Sequence, residues 1–209
     1  MLEFTLGDHI VRLLSVSILL FFAIGCGTRQ LKTDNGISVQ TPDLHRSCEQ
    51  GNASSCSEIG YLYEKGEGVE KSVSRAVEYY KKGCELGDGL GCYFLGSYYG
   101  REEGAEKSSA KAAEYYRKSC DLGNQWSCSD LGYFYQKGEG VEKSPGKAVD
   151  SYKKACELGD GWGCASLGNS YYRGEGVEKS SIKAFEFKKS GCELNNGRAC
   201  ASLALDYIH

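Results

Sequence analysis

The chain has 209 residues, of which 41% are hydrophobic and 25% are charged, and its formal net charge at pH 7 is −3. With 25 basic and 28 acidic residues, the composition gives no basis for nucleic-acid binding. Eleven cysteines against three histidines argue for disulfides and against a zinc site, so we expect neither a metal nor another cofactor.

The N-terminal segment has the pattern of a signal peptide. One arginine, Arg12, precedes an apolar run at 13–24 that is too short to span a membrane, and small residues come before Cys26. The letters AIGC resemble a bacterial lipobox, which implies cleavage before Cys26 and a lipid on its sulfur. We therefore expect a signal peptide at 1–25 and a lipidated, polar tether at 26–40. A plain signal peptide that is cut at a nearby small residue is the alternative.

After the tether, the chain is a tandem repeat with a period of 36 residues. Cysteines eight positions apart recur at this offset without a slip: Cys48 and Cys56, Cys84 and Cys92, Cys120 and Cys128, Cys156 and Cys164, Cys192 and Cys200. A period of this length is typical of a solenoid built from supersecondary units. We expect one repeat domain at 41–209, with half repeats on either side of four full ones at 53–88, 89–124, 125–160 and 161–196.

Each repeat is predicted to be a pair of helices, which we call A and B. In the first repeat, CSEIGYLYEKG predicts helix A and SRAVEYYKKGCELG predicts helix B. Glycines at 66, 138 and 174 are placed to end helix A in a left-handed conformation. Serines are placed to cap the start of helix B, at Ser72, Ser108, Ser144 and Ser180.

The cysteine pairs flank the turn from each helix B to the next helix A. On one straight helix, residues eight apart are separated by about 12 Å, whereas the Cα atoms of a disulfide are roughly 4.4–6.8 Å apart. A bond within each pair therefore requires the chain to reverse between its two cysteines. We predict five such disulfides, each stabilising the fold by roughly 2–3 kcal/mol, and an exported protein.

The third repeat carries a resemblance to a known family. Its sequence, LGYFYQKGEGVEKSPGKAVDSYKKACELGDGWGCASLG, resembles the Sel-one-like repeat, a relative of the tetratricopeptide repeat. The cysteine pairs are similar to those of the Helicobacter cysteine-rich protein family. This resemblance implies an all-α fold, a right-handed α-solenoid of paired helices. It also implies two kinds of function: binding of a partner in the groove, and penicillin binding with slow β-lactam hydrolysis.

Three S-x-x-K motifs that recur at the 36-residue spacing are candidates for serine β-lactamase chemistry. They are Ser108 with Lys111, Ser144 with Lys147, and Ser180 with Lys183. Each serine is also the predicted cap of a helix B, and neither K-T-G nor S-D-N accompanies the motifs. We therefore predict no catalytic residue, and β-lactam hydrolysis is an alternative that depends on the family resemblance alone.

The side of helix A opposite its packed side is predicted to bind a partner. At about 100° per residue, positions 54, 58, 61 and 65 share this side within about 60°. These four positions and their equivalents, which we call the A face, vary between repeats and include aromatic and charged residues. The candidate binding residues are Glu58, Tyr61, Lys65, Phe94, Ser97, Arg101, Asp130, Tyr133, Lys137, Ser166, Asn169 and Arg173. For Trp126 and Trp162, in the same rows, packing beside the disulfides is an equal alternative.

These features together predict a lipid-anchored scaffold of the cell envelope, in the periplasm or at the cell surface. The expected partners are a protein or peptide on the A face and the membrane, reached through Cys26. A β-lactam or cell-wall peptide is the alternative ligand.

Overall fold

The computed structural model describes residues 40–100 and 108–206, and these form ten α-helices with no strand among them. In chain order the helices are α1 (Gln40–Glu49), α2 (Ala53–Lys65), α3 (Val73–Glu85), α4 (Gly89–Gly100), α5 (Ser109–Asp121), α6 (Gln125–Lys137), α7 (Pro145–Glu157), α8 (Gly161–Arg173), α9 (Ser181–Glu193) and α10 (Gly197–Asp206). The predicted signal peptide, Cys26 and Arg101 lie outside the described residues.

The helices stack in the order of the repeats. Helices α2, α4, α6 and α8 are the A helices of the four full repeats, and α3, α5, α7 and α9 are their B helices. Each A helix packs against the B helix of its own repeat and against the helix that precedes it, and consecutive A helices also contact one another. An A helix therefore has neighbours on several sides.

The helix ends follow the capping pattern that the sequence predicts. The hydroxyl of Ser72 accepts a hydrogen bond from the backbone N–H of Arg75, and the other three serines cap their B helices in the same way. Gly66 ends α2 with φ of 77° and Gly138 ends α6 with φ of 78°, a conformation that favours glycine. These local signals are confirmed.

A tyrosine of helix B packs against a glycine of helix A in the first three repeats. A Cβ atom on Gly60 would lie 2.6 Å from the ring of Tyr80, so only glycine permits this approach. The equivalent pairs are Gly96 with Tyr116 and Gly132 with Tyr152. In the fourth repeat, Lys188 occupies the tyrosine position, and its Cγ lies 2.9 Å from where a Cβ on Gly168 would be.

Disulfides join the end of each B helix to the first turn of the next A helix. Five of them are present, with Cα–Cα distances of 4.5–4.8 Å, and they link the same pairs that the eight-residue spacing predicts. The bonded pairs are Cys48 with Cys56, Cys84 with Cys92, Cys120 with Cys128, Cys156 with Cys164, and Cys192 with Cys200. Each bond crosses a boundary between repeats and therefore fixes two neighbouring units against each other.

The second cysteine of each pair lies in the first turn of an A helix, where it is buried or, for Cys200, partly buried. The side chains of Cys56, Cys92 and Cys164 are fully buried. Cys200 occupies the same place in α10, where its sulfur lies 3.6 Å from the carbonyl oxygen of Cys192. The bonds are therefore part of the packed boundary between repeats.

The turn between helices A and B also contacts the preceding repeat. In the third repeat, Gly140 has φ of 67°, and a Cβ there would lie 2.1 Å from the backbone of Ser109 at the start of α5. In the fourth repeat, Gly176 is placed in the same way against the backbone of Pro145. The second glycine of these GEG turns is therefore required for contact between repeats.

Candidate functional site

The A face lies along the row formed by consecutive A helices. Three large apolar side chains remain exposed on it: Trp126 at 49%, Leu90 at 41% and Tyr61 at 37%. On the B side of the stack, a cavity of about 520 Å³ opens between α3 and α5 and is lined mainly by charged side chains. The A helices therefore contact one another in a row and also present exposed aromatic side chains.

The predicted binding residues divide into two groups by exposure. Exposed side chains are those of Glu58, Tyr61, Lys65, Lys137, Asn169 and Arg173. Partly buried side chains are those of Phe94, Ser97, Asp130, Tyr133 and Ser166. A helical wheel predicts that the whole A face is exposed to solvent, but only six of these eleven side chains are exposed.

Phe94, which is predicted to lie opposite the packed side of its helix, packs instead against the preceding repeat. Its ring stacks on Tyr80 of α3 with the ring centroids 4.7 Å apart, and it lies 6.3 Å from the ring of Tyr61 on α2. The physical reason is the stacking of repeats. Since α4 is flanked by helices of two repeats, part of its predicted outer side is covered by the preceding one.

The two tryptophans have different environments. Trp162 is partly buried and meets the ring of Tyr152 edge-on, with the centroids 6.0 Å apart. Trp126 is half exposed and contacts Tyr93, 5.9 Å away, on the preceding A helix. Packing therefore explains Trp162 better than Trp126, whose remaining exposed surface is open to a partner.

In α2 and α6, a lysine at the end of the helix lies over a tyrosine of the same helix. The ammonium of Lys65 is 5.4 Å from the ring centroid of Tyr61, and that of Lys137 is 5.7 Å from Tyr133. Both pairs are four residues apart on one helix, and such cation–π contacts contribute modestly at exposed sites. They hold the two tyrosine rings beside a positive charge on the A face.

Asp130, in the middle of the row, is a half-buried carboxylate. Burial raises its pKa to about 6, and the negative charge of Asp160 adds to the increase. Asp160 itself caps α8, where it accepts hydrogen bonds from two backbone N–H groups and from the hydroxyl of Ser129. No hydrogen bond or ion pair to Asp130 occurs within the described residues, so its charge is poorly compensated.

A cavity of about 140 Å³ lies farther along the row, between α8 and α10. Its lining combines residues of the fourth A face with Lys188 and the start of α10: Trp162, Ala165, Ser166, Asn169, Lys188, Arg198, Ala199 and Ser202. Neither Lys188 nor Arg198 is among the binding residues predicted from the sequence. The sequence does mark Lys188 as unusual, because the equivalent position in the other three repeats is a tyrosine: Tyr80, Tyr116 and Tyr152.

The S-x-x-K motifs have a structural explanation. In the first of them, the backbone N–H of Lys111 donates to the hydroxyl of Ser108, while the lysine ammonium lies 4.8 Å from the ring centroid of Tyr99. The other two motifs repeat this arrangement, with Lys147 over Tyr135 and Lys183 over Tyr171. The lysine side chains thus lie on tyrosine rings of helix A.

Two further classes of site have no candidate in the part of the chain that the structure describes. No cluster of three or more histidine, cysteine or acidic side chains there could hold a metal ion. None of the ten helices is both long enough and apolar enough to cross a bilayer. The five disulfides indicate an oxidising, exported environment.

The helices, their 36-residue spacing and the disulfides define an α-solenoid. The Sel1 repeat family matches residues 53–88, 89–124, 127–160 and 163–196, which together cover most of the chain. The protein belongs to the Sel1 repeat family, and the predicted fold, a right-handed α-solenoid, is confirmed. No curated protein matches the sequence.

Several solved structures share this fold. A Sel1 repeat protein from Oxalobacter formigenes is 30% identical with a TM-score of 0.72, and the alignment covers 81% of this chain and 75% of that one. Cysteine-rich protein B of Helicobacter pylori is 36% identical with a TM-score of 0.52, covering 65% and 97%. A protective antigen of uropathogenic Escherichia coli is 29% identical with a TM-score of 0.75, covering 81% of this chain. The match spans only 36% of that antigen's length.

Proposed function

We propose that this protein is a cell-envelope scaffold that binds a protein or peptide along the A face. The observation that carries the proposal is the half-exposed Trp126, in a row whose other members vary in charge and size. Tryptophan is strongly enriched among residues that dominate binding energy at protein interfaces. Stacked helical repeats present extended surfaces that generally bind proteins.

Asp130 gives a second reason to place the partner here. A poorly compensated, half-buried carboxylate costs stability, and such costs are often found at functional positions. A basic side chain of a partner would supply the missing positive charge. The exposed aromatic surface and the carboxylate together favour a partner that carries both apolar and basic groups.

A site-specific crosslinking experiment tests this proposal. A photo-crosslinking amino acid at position 126 should capture one defined partner in intact cells. The same group at position 182, where Ile182 is 76% exposed on a B helix, is the matched control and should not. Trp126→Ala should then weaken binding of the purified partner by at least about tenfold, while Ile182→Ala leaves the affinity unchanged. Equal capture at both positions would refute the A face as the binding surface.

We also propose that Cys26 carries a lipid that anchors the scaffold to a membrane. The support is the lipobox-like AIGC sequence, and the relative from E. coli is described as a protective antigen, which fits exposure at the cell surface. Cys26→Ser should abolish lipid labelling and release the protein from membranes. Retention of this variant after a salt and carbonate wash would show that another segment is the anchor.

A further inference from the structure

Four aromatic rings form a continuous series across three consecutive A helices. In order they are Tyr61 on α2, Phe94 and Tyr93 on α4, and Trp126 on α6. The centroids of neighbouring rings are 6.3, 5.6 and 5.9 Å apart. The rings at the two ends are exposed, whereas the inner two are partly buried. We call these four residues the aromatic series.

The exposed rings at the ends of the series also carry hydrogen-bond donors. Tyrosine has a hydroxyl and tryptophan has an indole N–H, each attached to a ring whose faces are apolar. Neither the hydroxyl of Tyr61 nor the indole N–H of Trp126 donates a hydrogen bond to another of the described residues. A ligand that fits this surface therefore combines apolar faces with oxygen atoms that accept hydrogen bonds.

A carboxylate lies near each end of the series. Glu58 precedes the first ring by three residues on α2, and Asp130 follows the last ring by four residues on α6. These spacings place each carboxylate on the same side of its helix as the ring. The ammonium of Lys65, which lies over the first ring, is already paired with Glu64 at 3.6 Å. Basic groups of a ligand would therefore meet an acidic side chain at either end.

We propose that the aromatic series binds a proline-rich peptide in the polyproline II conformation, with a basic residue at each end of the proline run. The inference rests on the proposed function, because it names the class of peptide that the A face takes. Proline-rich segments dock on surfaces lined by aromatic side chains. A polyproline II helix has no internal hydrogen bonds, so its carbonyl groups can accept from the indole and the hydroxyl. Its conformation is largely formed before binding, which lowers the entropy cost of association.

The pitch of polyproline II matches the spacing of the A helices. One turn of this conformation contains three residues and rises about 9 Å. Packed helices lie about 8–10 Å apart, and consecutive A helices of this protein contact one another. Each turn of the peptide therefore advances by one A helix. About six prolines, or two turns, cross from α2 to α6.

Other peptide conformations match this surface less well. A peptide strand gains affinity through main-chain hydrogen bonds to a sheet edge, and the described residues contain no strand. An amphipathic helix needs a hydrophobic groove, whereas charged side chains border the aromatic series on both α2 and α6: Glu58, Lys65, Asp130 and Lys137. The surface thus favours a ligand with separate apolar contacts one turn apart.

The two tryptophan indoles provide a direct assay in the full chain. The protein contains only Trp126 and Trp162, so selective ¹⁵N labelling gives two indole signals in the purified protein. The first probe is a peptide with six prolines between two arginines, capped at both termini so that it has no free carboxylate. Alanines replace the prolines in the second probe, and glutamates replace the arginines in the third. The fourth is chitotetraose, a glycan that also stacks on aromatic rings.

The probe with prolines and arginines should shift the Trp126 signal in a saturable way, with a Kd of about 1 mM or lower. The signal of Trp162, which lies outside the series, should shift much less. The other three probes should bind at least about tenfold more weakly. The alanine peptide lacks the preformed conformation, the glutamate peptide places like charges beside the two carboxylates, and the glycan carries no basic group.

Variants connect the response to the aromatic series. Tyr61→Ala removes the end farthest from the reporter at Trp126 and should weaken binding at least about fivefold. Ile182→Ala is the matched control, because Ile182 is equally accessible but lies on α9, and it should leave the affinity unchanged. Asp130→Asn should reduce the preference for arginines over glutamates at least about threefold, whereas Asp150→Asn, on the exposed side of α7, should not change it.

Several results would overturn the inference. One is the absence of a saturable Trp126 shift up to about 10 mM of the first probe, well above its expected Kd. Others are an equal affinity for the alanine peptide, the glutamate peptide or chitotetraose, and an unchanged affinity in Tyr61→Ala. Crosslinking at position 126 in cells separates this inference from the proposed function. If the segment captured there contains no proline-rich run, the A face still binds a protein and the polyproline II inference is wrong.

Discussion

Replacing Asp130 by asparagine should make the protein more stable at neutral pH and leave its stability almost unchanged in acid. Asparagine has nearly the same shape but no charge, so the substitution removes the penalty for ionising a half-buried carboxyl group. Burial and the nearby charge of Asp160 raise the pKa of Asp130 from its ordinary value of 3.8 to about 6. Each pH unit of difference corresponds to about 1.4 kcal/mol, so the full penalty is about 3 kcal/mol.

The pH range of the effect follows from the direction of this shift. Between pH 4 and pH 6 the folded protein keeps a proton on Asp130 that the unfolded chain releases, so the contribution of Asp130 to the stability of the wild type falls as the pH rises. The penalty is absent below about pH 4 and fully present above about pH 6. The gain from Asp130→Asn should therefore grow from near zero at pH 3.5 to about 2–3 kcal/mol at pH 7.5.

Guanidinium unfolding followed by circular dichroism, at several pH values between these limits, measures this gain. The variant Asp150→Asn is the control, because Asp150 is exposed on α7 and its replacement should change stability by less than about 0.5 kcal/mol at any pH. A loss of stability in Asp130→Asn at pH 7.5, or a gain that does not depend on pH, would refute the reasoning. Either result would mean that the carboxylate is compensated by groups that we have not identified.

Three further predictions concern the turns, the disulfides and the serine caps. Gly140→Ala should destabilise the fold by at least about 2 kcal/mol in thermal unfolding, because Gly140 has a left-handed backbone and contacts the preceding repeat. Gly146→Ala is the control and should be neutral or slightly stabilising, since a Cβ atom there meets no neighbour within 4 Å. Replacing Cys120 and Cys128 together by serine should cost about 2–3 kcal/mol, and hydrogen exchange should rise in α5 and α6 more than in α2 or α9. Ser144→Ala should cost about 0.5–2 kcal/mol and leave any turnover of a chromogenic cephalosporin unchanged per folded molecule; a fully stable but inactive variant would contradict this structural role.

The features that depend on nearby residues could be predicted from the sequence. Caps such as Ser72 and helix ends such as Gly66 are set by interactions within three or four residues, and a left-handed glycine needs no distant partner. The disulfides span only eight residues, and their geometry follows from the reversal of the chain between the two cysteines. The 36-residue period then extended these local predictions to the whole domain.

The environment of the A face depends on contacts between repeats, which a helical wheel does not contain. Phe94 and Asp130 occupy equivalent positions, yet Phe94 stacks on Tyr80, while Asp130 remains poorly compensated near Asp160. The cavity at Lys188 requires α10 to lie beside α8, and nothing within either helix alone indicates its volume. The sequence does show that Lys188 replaces the tyrosine of the other repeats. A comparison of the repeats position by position can therefore find such sites.

The placement of the disulfides also determines where a proteolytic cut separates the chain into two fragments. A cut inside any of the five short loops, such as 84–92, leaves the two fragments joined by the bond that closes the loop. A cut in a turn between helices A and B, such as 66–72, lies outside every loop and divides the chain. Under oxidising conditions, the protein is therefore protected at the boundaries between repeats, and its vulnerable points are the turns within them. A molecule nicked inside a loop would run as intact on a gel until a reductant reveals the cut.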